Sequence, residues 1–214
     1  MEFVRRNTSI PVPKVYDILE DKENIYIVME YIEGKMLAEV WTRLTSEQKG
    51  SIVNQLKGYL AELRALSPPH PGRVESVDGT EIGNTTIGPN RGPFDSVESF
   101  HRARGYSHIR SSPDKYPRYK DVFNRIKGKK YRTVFTHGDF SLHNILVNKD
   151  MKIAAIIDWE FAGWYPEYWE YTQGHFSNTR YTEFQDILKR GDILEKYEDE
   201  LQAEKFLATI FTRV

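Results

Sequence analysis

The chain has 214 residues, a length that suits one domain or one domain with a small appendage. With 39% hydrophobic and 29% charged residues it can fill a core and is too apolar for a disordered chain. Thirty Lys and Arg against 31 Asp and Glu leave a net charge of -1, which removes any global electrostatic case for nucleic acid or anionic membrane as partner; zero cysteines exclude disulfides, thiolate nucleophiles, iron–sulfur clusters and cysteine zinc sites.

The longest aliphatic cluster, Ile153 to Ile157, is far short of the roughly 20 residues a membrane span needs. The opening Met1-Glu2-Phe3-Val4-Arg5-Arg6 lacks the layout of a signal peptide, so a cytoplasmic protein is expected and the sequons at Asn7 and Asn84 read as chance. Residues 1–6 look like the end of an amphipathic helix, stopped by Ile10-Pro11-Val12-Pro13. Val15 to Glu20 and Asn24 to Met29 predict an antiparallel pair of strands around the polar turn Asp21-Lys22-Glu23. Gly34 frees the chain to leave the second strand toward a helical stretch from Met36 to Trp41.

Thr45-Ser46-Glu47-Gln48 has the spacing of a capping box, and Ile52, Leu56, Leu60 and Leu63 then recur at helical intervals up to Ser67-Pro68-Pro69. From His70 to Pro93 the glycines and prolines predict a long irregular excursion. Within it, Gly83 and Gly88 have the gap of a Walker loop but no Lys-Ser/Thr follows, so the segment reads as an insertion loop. Helical patterns begin at Asp95 and around Tyr119 to Ile126. Val134-Phe135, Ile145 to Val147 and Lys152 to Ile157 predict strands, followed by helices near Glu167 to His175, Tyr181 to Lys189 and Asp192 to Phe211.

The polar loop between the first two of those strands carries the chemistry. His137-Gly138-Asp139-Phe140-Ser141-Leu142-His143-Asn144 sets a carboxylate five positions before an amide, and Ile157-Asp158-Trp159-Glu160 brings a second carboxylate off a strand end. Singly, these residues suit solvated turns. Together they suit phosphoryl transfer: Asp139 can accept the proton of an attacking hydroxyl, while Asn144 and Asp158 offer hard oxygen ligands to Mg2+ bridging nucleotide phosphates. A rival use of His137, Asp139, His143 and Asp158 is a hydrolase metal site, but no third histidine lies at ligand spacing.

The order His-Gly-Asp-x4-Asn, strand, turn, strand, Asp resembles the catalytic core of the aminoglycoside phosphotransferase and choline kinase family. Ile10 to Tyr16, Val28 to Gly34, Gly92-Pro93-Phe94 and Gly163 to Glu170 extend the likeness over most of the chain, toward the family's fungal branch. The resemblance implies an α+β, protein-kinase-like fold: residues 1–32 as a remnant of the N-terminal lobe and 33–214 as a mainly helical C-terminal catalytic lobe. It implies an ATP-dependent enzyme that phosphorylates a hydroxyl of a small molecule, with Asp139 as catalytic base, Asn144 and Asp158 as Mg2+ ligands, and the main chain at Glu30, Tyr31 and Ile32 as the adenine contact. His137 takes a supporting role in the catalytic loop.

The family's glycine-rich loop and strand lysine precede the Pro-Val-Pro segment, and only ten residues precede Pro11 here. Nothing in the sequence moves Lys14 or Lys22 into the phosphate site, so the alternative is an inactive kinase-like binding module or a truncated gene product. The two strands are expected to expose an edge and a face. Aromatic residues from Trp159 to Tyr171, with Glu160, Glu167 and Glu170 among them, suit a cage for a cationic acceptor, but the same spacing more commonly packs a helix on a core.

Overall fold

The computed structural model of the protein describes residues 1–84, 88–112 and 114–211. Helix α1 (Glu2–Asn7) stops where Thr8 turns extended, and its hydroxyl donates back to the Val4 carbonyl at 2.8 Å. The proline segment that follows is buried at Ile10 and Val12, and the Pro11 carbonyl accepts from the Ile156 N–H at 2.8 Å. Strands β1 (Val15–Glu20) and β2 (Ile25–Met29) pair antiparallel with Ile18 opposite Ile27. Asp21 Oδ1 closes the turn by accepting from the N–H groups of Glu23 and Asn24. This hairpin pairs with no other strand, and it carries nine of the eleven exposed large hydrophobic residues, counting Tyr31 just past β2, among the described residues. The exposure anticipated for these strands is therefore present on both faces.

Strand β3 (Lys35–Met36) leads into α2 (Leu37–Val40), a 3-10 turn at Trp41–Arg43, and the twenty-residue α3 (Ser46–Ala65). The capping box is complete: Gln48 N–H donates to Thr45 Oγ1 at 3.2 Å, and Thr45 N–H donates to Gln48 Oε1 at 2.9 Å. Ile52, Leu56, Leu60 and Leu63 are the buried face of α3, in the main core. The excursion expected to be irregular instead contains β4 (Glu75–Ser76), where Ser76 pairs with Gly163 of a later strand, and β5 (Ile82–Asn84) and β6 (Gly88–Arg91), which pair with each other. Residues 85–87, within the Gly83 to Gly88 segment and the Asn84 sequon, lie outside the described residues.

Helices α4 (Val97–Ala103), α5 (Tyr106–Ser111) and α6 (Lys120–Ile126) follow. α5 escapes a sequence reading because only Arg104 and the left-handed Gly105, with φ 88°, separate it from α4. Next come β7 (Thr133–Thr136), a 3-10 turn at Leu142–Asn144, β8 (Ile145–Val147) and β9 (Ile153–Ile156), then β10 (Gly163–Pro166). Two three-stranded antiparallel sheets result, ordered β4-β10-β7 and β3-β8-β9. The chain passes from the first to the second through residues 137–144 and returns through 157–162, so both crossings lie side by side.

Helices α7 (Trp169–Ser177), α8 (Thr182–Arg190) and α9 (Glu198–Phe211) complete the fold. The last begins six residues later than the expected Asp192, because Gly191 ends α8 in a left-handed cap and the next residues lay Ile193 and Leu194 into the core. A second core unites α5, α6 and α9 through Tyr106, Phe123 and Phe206. Among the described residues no helix is long and apolar enough to cross a membrane.

Candidate active site

The loop after β7 is shaped by its glycine. Gly138 has φ 85°, and a Cβ there would stand 2.5 Å from the Phe161 carbonyl oxygen, so the loop lies directly against the returning crossing. His137 ties the two crossings together. The Asp139 N–H donates to its Nδ1 at 3.2 Å, which leaves the proton on Nε2 to be donated to the Ile157 carbonyl at 2.9 Å. Burial lowers its pKa, which agrees with this neutral tautomer. Both ring nitrogens are thereby used, so the hydrolase-type metal site imagined around His137 is not formed; His143 lies on the surface beside Tyr181.

Asp139 is half-buried and held at both carboxylate oxygens. Asn144 Nδ2 donates to Oδ2 and to the Asp139 carbonyl, each at 2.9 Å, and Ser177 Oγ donates to Oδ1 at 2.5 Å. Both amide protons of Asn144 are spent in this way, which leaves its Oδ1 as the free coordinating atom. Asp158 follows β9 with φ 63°, a left-handed conformation that aspartate tolerates, and its side chain is exposed. Burial raises the Glu160 pKa, and the negative charges of Asp158 and Asp139 add to the effect. One amide oxygen and one exposed carboxylate form a hard donor set suited to a cation that takes its remaining ligands from phosphates and water.

The segment proposed for the nucleotide borders a cleft of about 460 Å³, lined by Met29, Glu30, Tyr31, Ile32, Leu146 and Ile157 among others. Ile157 immediately precedes Asp158, so this cleft opens next to the paired crossings. The Glu30 N–H is already donated to the Lys14 carbonyl at 2.8 Å, which leaves Tyr31 and Ile32 to present unused main-chain groups. Lys14 sets its ammonium over the Tyr16 ring at 5.5 Å.

Sequence reading overlooked what holds the loop from behind. Glu170, at the start of α7, is buried and accepts from the N–H groups of His137 at 2.6 Å and Gly138 at 3.2 Å. Burial raises its pKa to about 7, against the pull of those two donors. Asn178 donates to the Phe140 carbonyl at 2.9 Å and accepts from the Leu142 N–H at 3.1 Å. The one available signal was the repeated Trp-Glu pair, Trp159-Glu160 and Trp169-Glu170. The aromatic cage is absent: Trp164, Tyr165, Tyr168, Trp169 and Tyr171 are at most 1% exposed, Glu170 faces the loop, and Glu167 pairs with Arg132 at 3.1 Å.

The folds most similar in shape include the aminoglycoside phosphotransferase APH(4)-Ia in ternary complex with ADP and hygromycin B, at TM-score 0.59, 16% identity and coverage of 96% of this chain and 70% of that one. Spectinomycin phosphotransferase APH(9)-Ia, in complex with ADP and spectinomycin, aligns at TM-score 0.52 and 15% identity over 97% and 69%. APH(3'')-Id from Streptomyces rimosus aligns at 0.51 and 12% over 93% and 74%. No curated protein sequence matches the chain. Identities this low speak to fold alone, which is the expected α+β, protein-kinase-like architecture. The profile of the phosphotransferase enzyme family matches residues 1–207, and the chain belongs to that family.

Proposed function

We propose that the protein transfers the γ-phosphoryl group of ATP to a hydroxyl of a small molecule, with Asp139 as base. The observation that carries this reading is the Asp139 carboxylate, held at one oxygen by Asn144 and at the other by Ser177, with Asn144 Oδ1 and Asp158 left free beside it. The acceptor hydroxyl approaches this carboxylate and gives up its proton as its oxygen attacks the γ-phosphorus, and ADP leaves. Asn144 and Asp158 are the residues that would hold Mg2+, which neutralises charge on the nucleotide phosphates when bound. The main chain at Tyr31 and Ile32, rather than the occupied N–H of Glu30, contacts the adenine in the cleft. In this division residues 1–32 face the nucleotide and 33–214 carry the catalytic loop. Glu160 adds a third negative group near the base, which suits a hydroxyl acceptor of cationic character.

A kinase-like binding module without turnover is the second reading, favoured by one observation: Lys14 is turned to Tyr16, away from any phosphate role. Calorimetry of ATP binding, with and without Mg2+, tests the proposal on the purified chain and on Asp158→Ala. Saturable binding that needs Mg2+ and disappears in the variant is expected; a folded sample that fails to bind overturns it. Phosphoryl transfer to hygromycin B, streptomycin and spectinomycin then separates an enzyme from a binding module.

A further inference from the structure

Ser177 is the last residue of α7, where a serine hydroxyl ordinarily turns back on its own helix. Here it points out of the helix and donates to Asp139 Oδ1 at 2.5 Å, across 38 residues of sequence. The helix end is built around this contact. Asn178, fully buried, bonds the Gly174 carbonyl behind it and the Phe140 carbonyl and Leu142 N–H in front, so the backbone bearing Ser177 is locked to the catalytic loop.

We infer that Ser177 is a positioning residue that fixes the plane of the Asp139 carboxylate and makes Oδ1 the oxygen that receives the acceptor's proton. The inference rests on Asp139 being the base. Asn144 alone restrains only Oδ2; a second donor on Oδ1 also resists rotation of the carboxylate about its Cβ–Cγ bond. Oδ2 lies on the side of Asn144, whose remaining oxygen is reserved for the metal and nucleotide, so Oδ1, on the α7 side, is left to the acceptor. In the step, the acceptor O–H bond breaks and its proton passes to Oδ1. The oxygen's electron pair forms the new bond to the γ-phosphorus, and the bond from that phosphorus to the bridging oxygen breaks with its pair leaving on ADP. Asp139 returns the proton to solvent after the phosphorylated product departs.

The test compares Ser177→Ala, Ser177→Thr and Asp139→Asn with the unaltered chain, measuring turnover of Mg-ATP with hygromycin B, streptomycin and spectinomycin in turn and with water alone. Ser177 is only half-buried, so the alanine variant should melt with the parent. Loss of the anchor should lower kcat by about ten- to a hundredfold with KM for ATP within about twofold, since misplacing a base costs rate and not nucleotide affinity. Ser177→Thr, which keeps the hydroxyl, should restore most of the rate. A kcat unchanged in Ser177→Ala while Asp139→Asn is inactive overturns the role of Ser177 and leaves the base in place. Full turnover in Asp139→Asn, or none in the unaltered chain, overturns both.

Discussion

Replacing Glu170 with glutamine should change how stability responds to pH more than it changes stability itself. In the folded chain burial pushes this carboxyl from an ordinary 4.5 up to about 7, and in the unfolded chain it returns to 4.5. Between those values the native protein keeps a proton that the unfolded chain has released, so stability falls as pH rises through the window. The displacement corresponds to about 3 kcal/mol, absent below pH 4.5 and complete above pH 7. Glutamine carries no such penalty. Its amide accepts one of the two N–H bonds from His137 and Gly138 and opposes the other with its own N–H, a cost of about 1–3 kcal/mol at every pH. Urea unfolding of both proteins is the assay. At pH 4.5 Glu170→Gln should be the less stable, and by pH 8 the gap should close or reverse, having moved by about 3 kcal/mol. A gap that stays constant within about 1 kcal/mol from pH 4.5 to 8 would refute the reasoning.

His101 should act with the opposite sign. It is buried, stacked on Tyr106 at 4.3 Å, bonded to the Tyr168 hydroxyl at 2.9 Å and faced by Tyr131, and burial with Arg110 and Arg104 lowers its pKa to about 4. Its neutral form favours the folded state above pH 6.5 and that contribution is lost as pH falls toward 4, so the melting temperature of His101→Phe should drop less between pH 7 and 5 than that of the parent. Gly138→Ala should abolish the proposed phosphoryl transfer and lower the melting temperature by several degrees. Its left-handed φ costs about 1–2 kcal/mol and its Cβ also meets the Phe161 carbonyl, whereas Gly72→Ala, with φ 90° and open space around it, should show only the smaller strain term. Equal melting temperatures for the two alanine variants would count against the close approach of the crossings.

Much of the candidate catalytic segment was legible because its determinants are local. The capping box at Thr45, the hairpin turn at Asp21 and the strand–loop–strand order from Thr133 to Ile156 each depend on residues within a few positions of one another. Asp139 and Asn144 stand five residues apart on that loop, and the bond between them is again a local one. The short strands β4 and β10 were not legible, since two and four residues carry no periodicity and form only because distant segments supply their hydrogen-bond partners, β10 for β4 and both β7 and β4 for β10. The aromatic cluster from Trp164 to Tyr171 was ambiguous for a different reason. Residue type says that such rings will be covered, and only packing says by what.

Sequence alone determined the family pattern, the element order around the loop of residues 137–144 and the identity of the groups that can donate oxygen or accept a proton, because these follow from short-range spacing and side-chain chemistry. Tertiary structure decided which of the acids does what. Glu160 and Glu170 each directly follow a tryptophan, yet one stays exposed near Asp158 and the other is buried beneath the loop. The contacts that settle the loop come from Glu170 and Ser177, 33 and 38 residues from their partners, and are made only when α7 docks against it. Burial and long-range hydrogen bonds are properties of the folded chain, and they alone separate a structural carboxylate from one poised for chemistry.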